Sequence, residues 1–167
     1  DDVEGEVISR GDVSAITDSQ IEAELVKMRG TIMQRPSSVS AVKVDGERAY
    51  DRVRAGESVE LASREVTISQ LDIKEIRRIE NAIEVDIEVT CSAGTFIRAI
   101  ARDCGDALAV GGHLNALRRT RVAGFGFDKA ISLTSLKAGE FAALPLVDVA
   151  RSTFSARELA LEEVNEL

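Results

Sequence analysis

A chain of 167 residues with 44% hydrophobic and 30% charged residues has room for one domain with its own core, and its balance excludes a disordered segment. No apolar run approaches the roughly 18 residues a bilayer span needs, and no basic stretch leading into an apolar one marks a secretion signal, so a soluble cytoplasmic protein without a membrane partner is expected. The net charge of −8 counts against nucleic acid for the chain as a whole.

In chain order, residues 3–8 alternate as a short strand. The chain opens on Asp1 rather than Met, so it is expected to begin inside a longer protein. Thr17 with Gln20 three residues on is a capping box, and Ile21, Leu25 and Met28 follow at helical spacing, with Gly30 expected to end the helix. Arg35-Pro36-Ser37-Ser38 breaks the pattern. Residues 39–44 read as a strand turning at Asp45-Gly46, and residues 49–55 as a short helix stopped by Gly56. Val66 and Ile68 alternate with polar residues, as do Leu71 and Ile73. The two pairs are out of phase, which predicts a bulge near Ser69. Glu80-Asn81 is the next turn, and Ile83, Val85, Ile87 and Val89 then alternate with charged residues, the pattern of a strand with one packed and one wet face.

Gly94-Thr95 leads into a helix carrying Phe96, Ile97, Ile100, Ala101, Cys104 and Leu108, closed by Gly111-Gly112. Residues 119–127 read as a last strand, and Thr134 as the cap of a short helical turn. Beyond Pro145 the pattern weakens, and residues 157–167 read as a tail without a core. Hairpins dominate, so the fold class is α+β with a mainly antiparallel sheet flanked by helices. Cys91 and Cys104 are too few for a disulfide framework, and with a single His their spacing matches no metal signature; reduced, partly buried thiols and no metal site are expected.

Hydrolase, nucleotide-loop and aromatic RNA-platform patterns are missing: His113 is the single His, and aromatic residues make up 4% of the chain. One segment stands out electrostatically. Between Arg98 and Arg121 lie Arg98, Arg102, Arg118, Arg119 and Arg121 against Asp103 and Asp106, a local excess of positive charge that can meet phosphates. Residue types alone lead to an α+β domain with one basic segment.

Two stretches carry more: Ser40-Ala41-Val42-Lys43-Val44-Asp45-Gly46-Glu47-Arg48-Ala49-Tyr50, and Cys91-Ser92-Ala93-Gly94-Thr95-Phe96-Ile97-Arg98-Ala99-Ile100-Ala101-Arg102-Asp103 with its continuation from Gly112 to Arg121. In content, order and separation they resemble the TruB family, the synthases that make pseudouridine in the TΨC loop of tRNA. The resemblance runs from residue 1 to about residue 136. It implies a partial pseudouridine synthase fold over residues 1–144, with residues 145–167 as a linker or start of a carboxyl-terminal RNA-binding domain. It also implies a tRNA TΨC stem-loop as substrate, no metal or organic cofactor, and a full-length protein that works as a monomer.

The family's nucleophilic aspartate lies in a Gly-Thr-Leu-Asp-Pro motif before the region that Asp1 matches. That motif does not occur in these residues, so they are expected to be inactive alone. Arg98 matches the family arginine that pairs with the aspartate; a carboxylate in a dry pocket needs a guanidinium to stay ionised and oriented. By residue type alone Arg98 reads as a solvated helix residue. Phe96 stands where the family often has Tyr beside the target base; it can pack but neither donates a hydrogen bond nor acts as a base, and a core aromatic would look the same. Leu117 matches a leucine of the base pocket or is a core leucine. Lys43 and Tyr50 match the stretch near the cleft, as RNA contacts or as supports; the family's Tyr before Ser40 is Val39 here. Arg118, Arg119 and Arg121 would meet RNA phosphates or form a solvated face, with Arg119 and Arg121 sharing a face of the last strand. His113 reads as structural. The rival functions are a non-catalytic RNA-binding module on the same scaffold and a plain structural domain.

Overall fold

A computed structural model describes residues 11–36, 43–44, 47–48 and 61–158. The strand expected at residues 3–8, the helix at 49–55, most of the tail, Val39 and Tyr50 lie outside the described residues. The chain divides into two units, Asp1–Ala116 and Leu117–Leu167.

In the first unit, helix α1 (Asp18–Lys27) starts as its sequence dictates. Thr17 takes the extended N-cap conformation, its hydroxyl oxygen accepts from Gln20 N–H, and the Gln20 side chain accepts from Thr17 N–H. Gly30 does not end this helix. Met28 is the C-cap, and Gly30, at φ +84°, instead opens strand β1 (Gly30–Gln34), where a left-handed residue is needed to reverse the chain in so few residues. Strands β2 (Lys43–Val44) and β3 (Glu47–Arg48) pair antiparallel with two residues between them, as the Asp45-Gly46 signal predicts.

Strand β4 (Arg64–Ile79) and strand β5 (Ala82–Cys91) form one long hairpin around Glu80-Asn81, and β1 pairs with the start of β4, giving the antiparallel order β1-β4-β5. The register slips at Ser69, as the phase change predicts, and again at Lys74. Each slip moves the inward set by one residue, so Val66 and Ile68 are followed by Leu71 and Ile73, then Ile76, all on the packed face. Helix α2 (Ile97–Ala107) lays Ile100 into this face beside Ile21 and Leu25 of α1. Ile68, Leu71, Ile21, Leu25 and Ile100 are the core; Ile83, Val85, Ile87, Val89 and Cys91 of β5 pack against it. Cys91 and Cys104 are free and half-buried, and burial pushes the Cys104 thiol up.

After α2 the chain reverses through Gly111, at φ +73°, and its backbone returns against the helix. A Cβ on Gly105 would stand 2.1 Å from the Gly111 carbonyl carbon, and one on Gly112 would stand 2.2 Å from Ala101 O. Both glycines are therefore required by close approach rather than by φ.

In the second unit the expected single strand over 119–127 is two short ones. Strands β6 (Arg121–Val122) and β7 (Phe125–Gly126) pair antiparallel across Ala123, which takes φ +49°, and Gly124. Helix α3 (Leu133–Ala138) is capped by Ser132, whose hydroxyl oxygen accepts from Ser135 N–H, and not by Thr134, which lies inside it. Helix α4 (Leu146–Thr153) follows Pro145, where no helix was expected. The described chain is α+β with antiparallel sheets.

Candidate functional site

The geometry of the second motif is set by a loop and a helix start. Residues 92–95 leave β5 tied back to β4: Ser92 N–H donates to Thr67 O at 2.8 Å, and Thr67 N–H donates to Ser92 Oγ at 3.0 Å. Thr95 Oγ1 donates to Ser92 O at 2.9 Å, and Gly94 supplies the turn at φ +85°. Phe96 is the extended N-cap of α2, and its side chain offers no oxygen to cap the helix.

Gln34 takes over the task of fixing this residue. It is 1% exposed. Its Oε1 accepts from Phe96 N–H at 2.7 Å and its Nε2 donates to Phe96 O at 3.0 Å, so the amide pairs with one residue's backbone as a neighbouring strand would. Its cross-strand partner Arg64 places a guanidinium over the Phe96 ring, 5.1 Å from the centroid. Residue 96 is thus held by its backbone from β1 and by its ring from β4.

Arg98 is the second residue of α2 and is exposed. One turn on, Arg102 is turned inward, its side chain 14% exposed. It donates to Arg35 O at 2.7 Å and to Pro36 O at 3.4 Å and pairs with Asp103 at 2.7 Å. Gln34, Arg35 and Pro36 therefore all bind α2, and Pro36, the last described residue before the Ser40 stretch, is held against the helix that carries the other motif. Arg102 is a tie between elements rather than part of a free basic face.

Of the expected site residues, Phe96 and Arg98 lie two residues apart at one helix start. Lys43 is on β2, its side chain outside the described residues. Leu117, Arg118, Arg119 and Arg121 belong to the second unit. Leu117 is 60% exposed, which removes the core-leucine reading. Arg118 stacks its guanidinium over Phe127, 4.6 Å from the ring centroid. Arg119 and Arg121 are exposed, but Arg119 precedes β6 in irregular chain, so the two do not share a strand face; β7 pairs with β6 only as far as Gly126, where the chain turns into a short 3-10 helix. His113 is exposed. Among the described residues no group of His, Cys, Asp and Glu has the arrangement of a metal site, and no helix is long and apolar enough to cross a membrane.

Sequence reasoning missed Gln34 and Arg64. The one signal was a polar residue after the apolar pair Ile32-Met33, with no period long enough to announce a strand.

Comparison with known proteins gives this geometry its context. Residues 1–97 match the model of the TruB family pseudouridylate synthase N-terminal domain, and residues 98–144 that of the tRNA pseudouridylate synthase B C-terminal domain. The two matches meet at the start of α2. The chain is 52% identical over 99% of its length to the tRNA pseudouridine synthase B of Mycobacteroides abscessus, of which it covers 56%. It is 46% identical over its whole length to that of Corynebacterium diphtheriae, of which it covers 57%. It therefore spans little more than half the length of these curated relatives. Among solved structures, a chain from the crystal structure of a Cbf5-Nop10-Gar1 complex superposes with a TM-score of 0.53 at 30% identity, over 76% of this chain and 32% of that one. The held Gly94-Thr95-Phe96-Ile97-Arg98 turn, the two family matches and the near-complete overlap with these relatives agree, and the chain belongs to the TruB family of pseudouridylate synthases.

Proposed function

We propose that the full-length protein containing these residues isomerises a uridine in the TΨC loop of tRNA to pseudouridine. The observation that carries the reading is the 52% identity, across 99% of the chain, to a protein named tRNA pseudouridine synthase B. In this reading the protein recognises the stem-loop by shape and phosphates and flips the target uridine out of its stack, at a cost of a few kcal/mol that pocket contacts must offset. The glycosidic bond then breaks, the uracil turns, and a carbon–carbon bond forms to the same ribose, without an organic cofactor or metal.

The nucleophilic carboxylate comes from sequence outside these residues, which hold no Gly-Thr-Leu-Asp-Pro motif and are inactive by themselves. Arg98 keeps that carboxylate ionised and aimed. Phe96 packs beside the base, and Leu117, with its side chain exposed, supplies apolar wall. Lys43, Tyr50, Arg118, Arg119 and Arg121 contact RNA. The protein acts as a monomer in the cytoplasm, and residues 145–167 lead toward a further RNA-binding domain.

The test is direct, because forming the new carbon–carbon bond expels the hydrogen at C5 of the uracil. A TΨC stem-loop tritiated at that carbon should release one tritium per molecule with the full-length protein and none with residues 1–167 alone. Binding of the stem-loop without release by the full-length protein would refute the enzymatic reading in favour of a non-catalytic RNA-binding module.

A further inference from the structure

We infer that Gln34 is a positioning residue for the reaction: it holds the Phe96 backbone so that the first turn of α2 presents Arg98 in one fixed direction. The inference rests on the proposed function and adds a residue to it.

Four observations point the same way. Gln34 is the one polar or charged residue among the described residues that is fully buried. Both ends of its side-chain amide bond Phe96, 62 positions away: Phe96 N–H donates to Oε1 at 2.7 Å and Nε2 donates to Phe96 O at 3.0 Å. Phe96 O also accepts from Ala99 N–H at 3.1 Å, the bond that closes the first turn around Arg98. Finally, the cross-strand partner of Gln34 is Arg64, the residue stacked on the Phe96 ring.

A buried amide that only filled core volume would be replaceable by an apolar side chain of the same shape. Here both halves of the amide are spent on the residue two before Arg98, at a helix start that lacks a side-chain cap. Small losses of aim at a reacting centre are expensive, on the order of 10²-fold for about 1 Å.

The experiment uses the full-length protein and the tritiated stem-loop, well below the melting temperature of each variant. Gln34→Met keeps the volume and removes both hydrogen bonds. The expected result is a fall in single-turnover rate on the order of 10²-fold, with stem-loop affinity within about twofold of the parent. In an Arg98→Lys background the same change should cost much less, because the aim it protects is already lost. Rates that fall only in proportion to the folded fraction, or a loss equal in both backgrounds, would overturn the inference. If Gln34→Met does not fold, Arg64→Met tests the ring side of the clamp: a rate loss of about fivefold with affinity kept supports it, and an unchanged rate sinks it. An inactive parent protein would instead overturn the proposed function and is told apart by that control.

Discussion

Residue 96 is held by its backbone from β1 and by its ring from β4, and side-chain chemistry decides what that position does. Phe96 has no hydroxyl, so it has nothing to give or take a proton with. Arg64 covers its ring at 5.1 Å, a contact worth about 0.5–1 kcal/mol where water still reaches it. The position therefore contributes packing and orientation. Replacing Phe96 with Tyr in the full-length protein should leave the pH profile of single turnover unmoved and change its rate by less than about threefold, since the added hydroxyl has no proton to carry in this account. A new limb in the profile, read from rates between acid and alkaline pH, would show that the position takes part in proton transfer. Gln34 is also the residue whose truncation should cost most stability near the site. Gln34→Ala leaves the Phe96 N–H without its side-chain partner, while Phe96 O keeps Ala99 N–H, at about 1–3 kcal/mol for an unsatisfied buried group.

Among the elements, α2 and the β4–β5 hairpin do the positioning, and both depend on sequence details of unequal visibility. The backbone returning after α2 passes so close that a Cβ on Gly105 would sit 2.1 Å from the Gly111 backbone. Gly105→Ala should destabilise the first unit by about 3 kcal/mol, the upper end for overpacking, seen as a lowered denaturant midpoint with an unchanged slope; parental stability would mean the returning backbone is not held there.

The hairpin was legible because its signals are local. The Glu80-Asn81 turn, the unbroken alternation of Ile83, Val85, Ile87 and Val89, and the phase change at Ser69 each act within a few residues. The capping box at Thr17 and Gln20 was legible for the same reason. Strand β1 was not, because it is only five residues long and its pairing partner lies thirty or more positions away in β4. Arg119 and Arg121 were misread as one strand because the pairing of β6 stops opposite Gly126, where the chain turns into a short 3-10 helix that its residue types do not announce. At the candidate site, the Gly-Thr-aromatic-Ile-Arg pattern singled out Phe96 and Arg98, which the structure places together at the start of α2. Gln34, Arg64 and the inward turn of Arg102 were not, since each is defined by a contact across the fold.

At the scale of the molecule, the proposed function gives an acidic chain of net charge −8 a polyanionic substrate, which requires its positive charge to be placed rather than abundant. Arg118, Arg119 and Arg121 are exposed in the second unit. Replacing all three by Gln should lower stem-loop affinity of the full-length protein and flatten the plot of log affinity against log salt by about two units of slope. An unchanged slope would remove these residues from the RNA interface. In the proposed mechanism the reaction turns on Arg98. The most direct measurement is single turnover of the full-length protein carrying Arg98→Ala on the tritiated TΨC stem-loop, with binding followed in parallel. Tritium release should be abolished while affinity stays within about threefold of the parent, if the guanidinium serves a carboxylate and not the RNA as proposed. Release at near-parental rate from the Arg98→Ala protein would contradict it.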